Sequence, residues 1–488
     1  MTCVTYESTD RQATRIVIVG GGPGGYEAAL VARRLGADVT IVEQHGLGGA
    51  AVLTDVVPSK TLIATADWMT IADRAADLGI RLPVDTAKAQ HPSMRRHIVD
   101  LEAVNTRVQA LAAAQSADIR ARLEREGVRV VVGTGRLDGP ARVVVAGASD
   151  PQGTGGKEEL VLDADVILLA LGSTPRVLPT AQPDGERILT WTQLYNLKKL
   201  PERLVVVGSG VTGAEFAGAY NALGSDVVLV SSRDRVLPGE DADAAELLEG
   251  VFRSRGMTVM SRSRAESAVR TEDGVEVTLA DRRVVEGTHV LLAVGSIPST
   301  HGLGLEEAGV RLTPSGHVEV DKVSRTSVRG IYAAGDCTGI LPLASVAAMQ
   351  GRVAMSHALG DAVAPIRLRT VAANIFTAPE IATVGYSEEQ LKAQGSKYVT
   401  ATLPLARNPR AKMLGMRDGF VKLFAHPEAS VVLGGVVVAP RASELIFPIT
   451  LAVSHRLTVD DVASAFTVYP SLSGSIAEVA RMLHHREG

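Results

Sequence analysis

The sequence predicts an α/β chain with two nucleotide-binding βαβ units, followed by an α+β domain at the C-terminal end. Three observations carry that expectation. A glycine cluster follows a short apolar run near the N-terminus, and the same arrangement returns in mid-chain. From about Thr370 the pattern turns to short alternating strands and helices. At 488 residues the chain also exceeds what one hydrophobic core serves.

The first unit opens with Arg15–Val19 as a strand, entering Gly20-Gly21-Gly22-Pro23-Gly24-Gly25. A helix is expected over Tyr26–Leu35, then a strand over Asp38–Val42 closed by Glu43. Gly20, Gly22 and Gly25 fit G-x-G-x-x-G: the first for a tight turn, the second for close approach of a pyrophosphate, the third for helix–strand packing. The helix N-terminus then offers N–H groups and a positive dipole end to phosphates. Glu43 is spaced to accept hydrogen bonds from ribose hydroxyls. A long amphipathic helix is expected from Leu101 to Glu126, with Leu101, Val104, Val108 and Leu111 on its stripe. Gly147–Gly156 reads as a hairpin tip or loop.

The second unit repeats the design. Leu204–Val207 enters Gly208, Gly210 and Gly213, a helix runs through Leu223, and a strand covers Asp226–Val230. Two copies of this Rossmann-like pattern are more specific than either alone. Further on, Gly419–Leu423 and Leu433–Val438 read as antiparallel strands of the α+β domain.

Composition limits the function classes. The formal net charge is −4 and aromatics are 3%, so neither a basic footprint nor base-stacking surface points to nucleic acid. No apolar run is long enough for a transmembrane helix. The polar N-terminus has no apolar signal-like core, and a cytoplasmic protein is the expectation. The two cysteines, Cys3 and Cys337, form no paired spacing, so neither a disulfide framework nor a metal site is expected.

The segment Gly48-Gly49-Ala50-Ala51-Val52-Leu53-Thr54-Asp55-Val56-Val57-Pro58-Ser59-Lys60 resembles the Gly-Gly-x-Cys-x4-Cys-x-Pro-Ser-Lys signature of the flavoprotein disulfide reductases. The two sulfur positions hold Ala51 and Val56. Neither side chain can form a thiolate or a mixed disulfide. A second flavin fingerprint of that family matches Thr326-Ser327-Val328-Arg329-Gly330-Ile331-Tyr332-Ala333-Ala334-Gly335-Asp336. The family's C-terminal His-x-His-Pro-Thr-x-x-Glu pattern falls on Thr467–Gly474, where Tyr469 replaces the acid/base His and Gly474 its orienting Glu. His484 and His485 lie past this pattern and read as tail residues.

The resemblance implies FAD, NADPH and/or NADH, and a homodimer. It implies an FAD-binding domain over 14–175, an NAD(P)-binding domain over 176–298, a central segment over 299–364 that completes the FAD site, and a dimerisation domain over 365–488. It carries FAD contacts to Gly20, Gly22, Gly25, Glu43, Gly49, Lys60, Gly135, Ser173, Asp336 and Ala344. The stretch from Ala344 to Ala348 should start a helix whose dipole faces the flavin. For the nicotinamide nucleotide it carries Gly208, Gly210, Gly213, Glu215 and Gly295. Lys60 and Glu215 pair in the family, the cation favouring negative charge that arrives with the hydride.

The second strand of the second unit ends in Ser231, Ser232, Arg233, Asp234 and Arg235, where an acid would favour NAD. Hydroxyls and guanidiniums suit a 2′-phosphate, so the reading is NADPH or both cofactors. Gly213, where NADP-selective relatives often carry Ala, and a merely solvated loop stand against it.

Loss of all four dithiol-relay residues implies a different second half-reaction. The resemblance therefore points to the dithiol-lacking homologues that act as NAD(P)H:quinone reductases, by ping-pong transfer. Ala51 and Val56 would line an apolar slot for a flat acceptor. Tyr469 could bond a quinone oxygen or serve packing alone. A soluble transhydrogenase, or a non-enzymatic FAD-holding interaction or sensor protein, are the alternatives.

Overall fold

The computed structural model describes residues 13–73, 75, 79, 99–149 and 159–484. Cys3, His485 and the loop beyond Ser149 as far as Gly156 lie outside the described residues. The chain forms two compact units, each assembled from three stretches. The first takes residues 1–57, 110–174 and 296–366, and the second takes 58–109, 175–295 and 367–488.

The first unit is built on a seven-stranded sheet. Its order is Ile331–Ala333, Val166–Leu169, Arg15–Val19, Asp38–Glu43, Arg129–Leu137, Arg142–Ser149 and Leu160–Asp163. The first five strands are parallel and the last two add antiparallel. Alternation along the strands buries both faces. Ile16, Ile18, Val39 and Ile41 pack with Ala28, Leu30, Leu123 and Met355 on one side. Val17, Val19 and Val42 pack with Leu137, Val143, Leu305 and Val318 on the other. The helix Pro23–Arg34 starts before Tyr26 because proline fits its first turn, where a missing N–H costs nothing. The stretch Gly147–Ser149 is the end of a strand rather than a loop.

The long helix runs Leu101–Arg125, but its stripe differs from the expected one. Leu111 is 41% exposed, and the buried line runs Leu101, Asn105, Val108, Ala112, Ile119, Leu123. Asn105 hides there because its amide donates to Leu197 O at 2.7 Å and Leu194 O at 3.2 Å. A count of apolar residues alone rejects an asparagine at that place.

The second unit holds a five-stranded parallel sheet in the order Thr258–Met260, Asp226–Val230, Arg203–Val207, His289–Leu292, Ile188–Thr190. Val205, Val207, Val228 and Val230 face an antiparallel three-stranded sheet through Ala268, Val277 and Val285. Leu204, Val206, Val227 and Leu229 face helices, including Val211–Leu223. The same unit contains the expected α+β part. Its antiparallel sheet runs Ala373–Ile375, Glu380–Gly385, Val432–Ala439, Phe420–Ala425, Val399–Pro404.

Candidate active site

Both glycine clusters form the turn their spacing implies. Gly20 adopts φ +104°, and a Cβ there would stand 2.2 Å from Ala170 O. A Cβ on Gly25 would stand 2.0 Å from Gly20 O. Gly208, at φ +111°, and Gly213 repeat this at 2.2 Å from Ala293 O and 1.8 Å from Gly208 O. The middle glycines behave differently. No atom lies within 4 Å of a Cβ built on Gly22 or Gly210, so each leaves an open cradle over the backbone. Gly22 and Gly210 are also the N-caps of their helices, and neither helix end has a side-chain cap. Uncapped helix N-termini beside open space suit a pyrophosphate.

Glu43 is buried, and the protein itself uses both of its oxygens. Oε2 accepts from Gly21 N at 2.7 Å, and Oε1 accepts from His45 N at 2.7 Å and Gly46 N at 3.3 Å. The carboxylate thus clamps the glycine turn to the end of the second strand. Spacing alone does not reveal that second task.

The segment carrying Ala51 is tied to the same turn. Gly48 N donates to Gly21 O at 2.8 Å. Gly49, at φ +55°, comes so near that a Cβ on it would stand 2.9 Å from Gly22 Cα. The short helix Gly49–Leu53 therefore sits against the turn, with Ala51 half-buried and Val56 37% exposed.

Asp336 is half-buried, and its Oδ2 accepts from Ser173 Oγ at 2.9 Å. Gln350, from the helix Ala344–Ala358, fixes the preceding turn by accepting from Gly335 N at 2.7 Å. That helix starts at Ala344 as expected and has no side-chain cap. Gly135 lies inside the sheet, hemmed by Val19, Val42 and Val143. Cys337 is fully buried, and burial pushes its thiol up to about 11, so it is no nucleophile near neutral pH.

In the second unit Lys60 and Glu215 meet. Lys60 Nζ donates to Glu215 Oε2 at 2.7 Å, and Phe376 N donates to Oε1 at 2.8 Å. The Glu215 side chain is 4% exposed and that of Lys60 is 26% exposed. Lys60 Nζ also stands 5.0 Å from the Phe376 ring centroid, a cation–π contact. Glu215 is thus held by two donors, and Lys60 is a cation fixed at its tip. Phe376 was not legible as part of this pair, because a backbone donor has no sequence signature.

The hydroxyl expected to greet a 2′-phosphate is placed otherwise. Ser231 is fully buried, with its Oγ 2.6 Å from Ser209 Oγ and accepting from Arg233 N at 3.1 Å. It builds the loop instead of presenting a hydroxyl at the surface. Ser232 and Arg233 are exposed, and Arg235 is half-buried. Gly295, at φ +93°, faces open space after the strand His289–Leu292.

Tyr469 is 82% exposed and precedes a cis proline, Pro470. Gly474 opens the helix Gly474–Met482, and a Cβ there would meet only ordinary contacts at 3.5 and 3.6 Å. The backbone does not demand glycine at that position. His484 pairs with Asp460 at 2.6 Å on the surface. Among the described residues, no group of three His, Cys, Asp or Glu could hold a metal ion, and no helix is long and apolar enough to cross a membrane.

The pattern of the pyridine nucleotide-disulphide oxidoreductases matches residues 14–351, and that of their dimerisation domain matches residues 371–480. The chain belongs to this family. An NAD(P)H dehydrogenase (quinone) of Mycobacterium tuberculosis is 54% identical, covering 96% of this chain and 94% of its own. A dihydrolipoyl dehydrogenase of Geobacillus stearothermophilus is 32% identical, with 96% of each chain covered. The crystal structure of LpdA from M. tuberculosis superposes with TM-score 0.89 at 52% identity, over 97% of this chain and 100% of that one. The disulfide reductase RclA of Escherichia coli, 23% identical with TM-score 0.83 over 96% and 100% of the chains, shares the fold. Pyridine nucleotide-disulphide oxidoreductases use FAD and NAD(P)H. The open cradles at Gly22 and Gly210 and the uncapped helix ends fit two dinucleotides.

Proposed function

We propose that this chain is an FAD-dependent NAD(P)H:quinone oxidoreductase of the diaphorase type, without disulfide reductase activity. One observation carries the reading. The Lys60–Glu215 pair is intact at 2.7 Å, while Ala51, Val56, Tyr469 and Gly474 occupy the four positions of the dithiol relay. The hydride-receiving side of the family's apparatus is retained and its thiol chemistry is gone. The 54% identical relative named NAD(P)H dehydrogenase (quinone) supports the same conclusion.

Gly20, Gly22, Gly25, Glu43, Gly49, Ser173, Asp336 and the Ala344 helix would hold FAD. Gly208, Gly210, Gly213 and Gly295 would hold the nicotinamide nucleotide. Bound FAD supplies a two-electron relay between NAD(P)H and the acceptor. Lys60 supplies a fixed positive charge that favours the arrival of hydride, and Glu215 keeps that charge in place. The acceptor gains two electrons and two protons, one with the hydride and one from water. Ala51 and Val56 offer it methyl surfaces and no nucleophile. Arg233 and Arg235 favour NADPH.

The chain acts as a homodimer through its dimerisation domain. Phe447, Phe466, Val468 and Tyr469 expose apolar surface there at 61–107%. In this reading the domains divide at 14–175, 176–298, 299–364 and 365–488. The strand Ile331–Ala333, which joins the first unit's sheet, supports the role of the third segment.

The test compares three reactions of the FAD-loaded protein with NADPH: bleaching of the flavin, turnover of a quinone, and reduction of an NAD⁺ analogue. Bleaching with fast quinone turnover and slow analogue reduction is expected. Dominant analogue reduction would make the protein a transhydrogenase, and no bleaching would make it a passive FAD holder.

A further inference from the structure

Two parallel strands of the second unit end side by side, in the register Val230↔Met260. The chain that leaves each one is stitched to the other. Ser231 N donates to Met260 O at 2.9 Å, Ser263 N to Ser231 O at 2.7 Å, and Arg262 N to Arg233 O at 2.7 Å. Arg262 is brought there in the left-handed region, at φ +51°. A residue other than glycine, asparagine or aspartate is disfavoured in that conformation. A long cationic side chain therefore stands where the backbone asks for a small residue.

We propose that Arg262 is a third determinant of NADPH recognition, acting with Arg233 and Arg235 on the nucleotide's 2′-phosphate. This rests on the NADPH preference proposed above. The rim lies at the carboxyl ends of parallel strands, where α/β sheets bind ligands, next to the Gly208 turn. The turn and the rim are joined directly, because Ser231 Oγ meets Ser209 Oγ and Leu237 N donates to Ser209 O at 2.9 Å.

The charges on this rim are unspent. Elsewhere in the second unit Arg270 and Arg283 each pair with a carboxylate at 2.6 Å. Among the described residues, no carboxylate pairs with Arg233, Arg235 or Arg262. Two acids lie near these three guanidiniums, Asp234 and Glu249; Glu249 accepts from Val236 N at 3.0 Å and is paired with Arg253, so the rim stays cationic. A dianionic phosphate ester accepts charge-assisted hydrogen bonds from such a fork, and NADH, with only a hydroxyl at that carbon, does not.

The test uses the FAD-loaded protein and two probes, adenosine 2′,5′-bisphosphate and ADP, as competitive inhibitors, alongside KM for NADPH and NADH. Arg262→Asn removes the charge and keeps a residue that tolerates positive φ. Arg264→Ala, an exposed neighbour whose carbonyl pairs with Ala280 N, controls for general surface charge. Arg262→Asn is expected to weaken adenosine 2′,5′-bisphosphate and raise the NADPH KM by about tenfold. ADP and NADH should move no more than in Arg264→Ala. Arg262→Asn behaving like Arg264→Ala, while Arg233→Glu discriminates between the cofactors, would overturn the role of Arg262 alone. Arg233→Glu affecting NADPH and NADH alike would overturn the NADPH reading and this inference with it.

Discussion

Loss of Lys422 should cost the second unit several kcal/mol, because it strands a buried carboxylate. Lys422 lies on the strand Phe420–Ala425 with its side chain 4% exposed, and its ammonium meets three carboxylates. Nζ donates to Asp241 at 3.0 Å, Asp243 at 2.8 Å and Glu388 at 2.9 Å. Lys422→Met keeps the stem and removes the charge. Asp243 and Glu388 are 59% and 25% exposed and regain water, at about 0–1 kcal/mol each. Asp241 is 3% exposed and is left as a buried, unpaired charge, which costs about 3–5 kcal/mol. Its other oxygen still caps the helix Ala242–Ser254 through Asp243 N and Ala244 N, which places the expectation near the low end, about 3 kcal/mol. At about 2–4 °C per kcal/mol, the unit's Tm should fall by roughly 6–12 °C.

Adding Asp241→Asn removes the stranded charge and keeps a good N-cap, so the double variant should regain more than half of the loss. Calorimetry of the FAD-loaded protein reads both variants. An unchanged Tm for Lys422→Met, or a further fall on adding Asp241→Asn, would refute the reasoning. The pH dependence follows from Glu388. Hydrogen bonds from Lys392 and Lys422 hold its carboxyl at about 2, below the ordinary 4.5. Its stabilising contribution is present above the ordinary value and is lost as pH falls from about 4.5 to about 2. The gap between wild type and Lys422→Met should therefore narrow across that window.

Gly208→Ala, at φ +111°, places a Cβ 2.2 Å from Ala293 O, so the turn must shift; nucleotide affinity should fall at least about tenfold, read by NADPH titration, with a stability loss of about 1–3 kcal/mol. Ala51→Phe should leave reduction by NADPH intact and slow reoxidation by quinone in stopped flow. Reoxidation at the unmodified rate would remove Ala51 from the acceptor's path. Cys337, with its thiol near 11, should not react with a disulfide reagent at pH 8 until the protein unfolds.

The parts of the fold set by local chemistry were readable beforehand. The strand Arg15–Val19, the helix ending at Leu223 and the strand Asp226–Val230 fall where glycine spacing and apolar runs put them. So does the helix start at Ala344, and Lys60 does reach Glu215. What was not readable depends on partners distant in the chain. Asn105 takes a place on the buried stripe because its amide finds two carbonyls near residue 195, and periodicity ranks residues by polarity, not by available acceptors. Ser231 reads as a ligand group until the neighbouring Ser209 is known to hold it. Lys422 sits in an apolar strand, where only the meeting of three separate carboxylates explains a buried ammonium. Arg262 has no motif around it, and only strand register sets it beside Arg233.

The proposed function sends electrons from this protein to a quinone and not to a disulfide. The most direct measurement is anaerobic reduction of the FAD-loaded protein by one equivalent of NADPH, followed by mixing with either a soluble quinone or lipoamide. Rapid reoxidation by the quinone is expected, and with lipoamide no faster reoxidation than free FAD shows. Reoxidation by lipoamide at a rate comparable to the quinone would contradict it, since Ala51, Val56, Tyr469 and Gly474 provide no sulfur, no imidazole and no carboxylate to orient one.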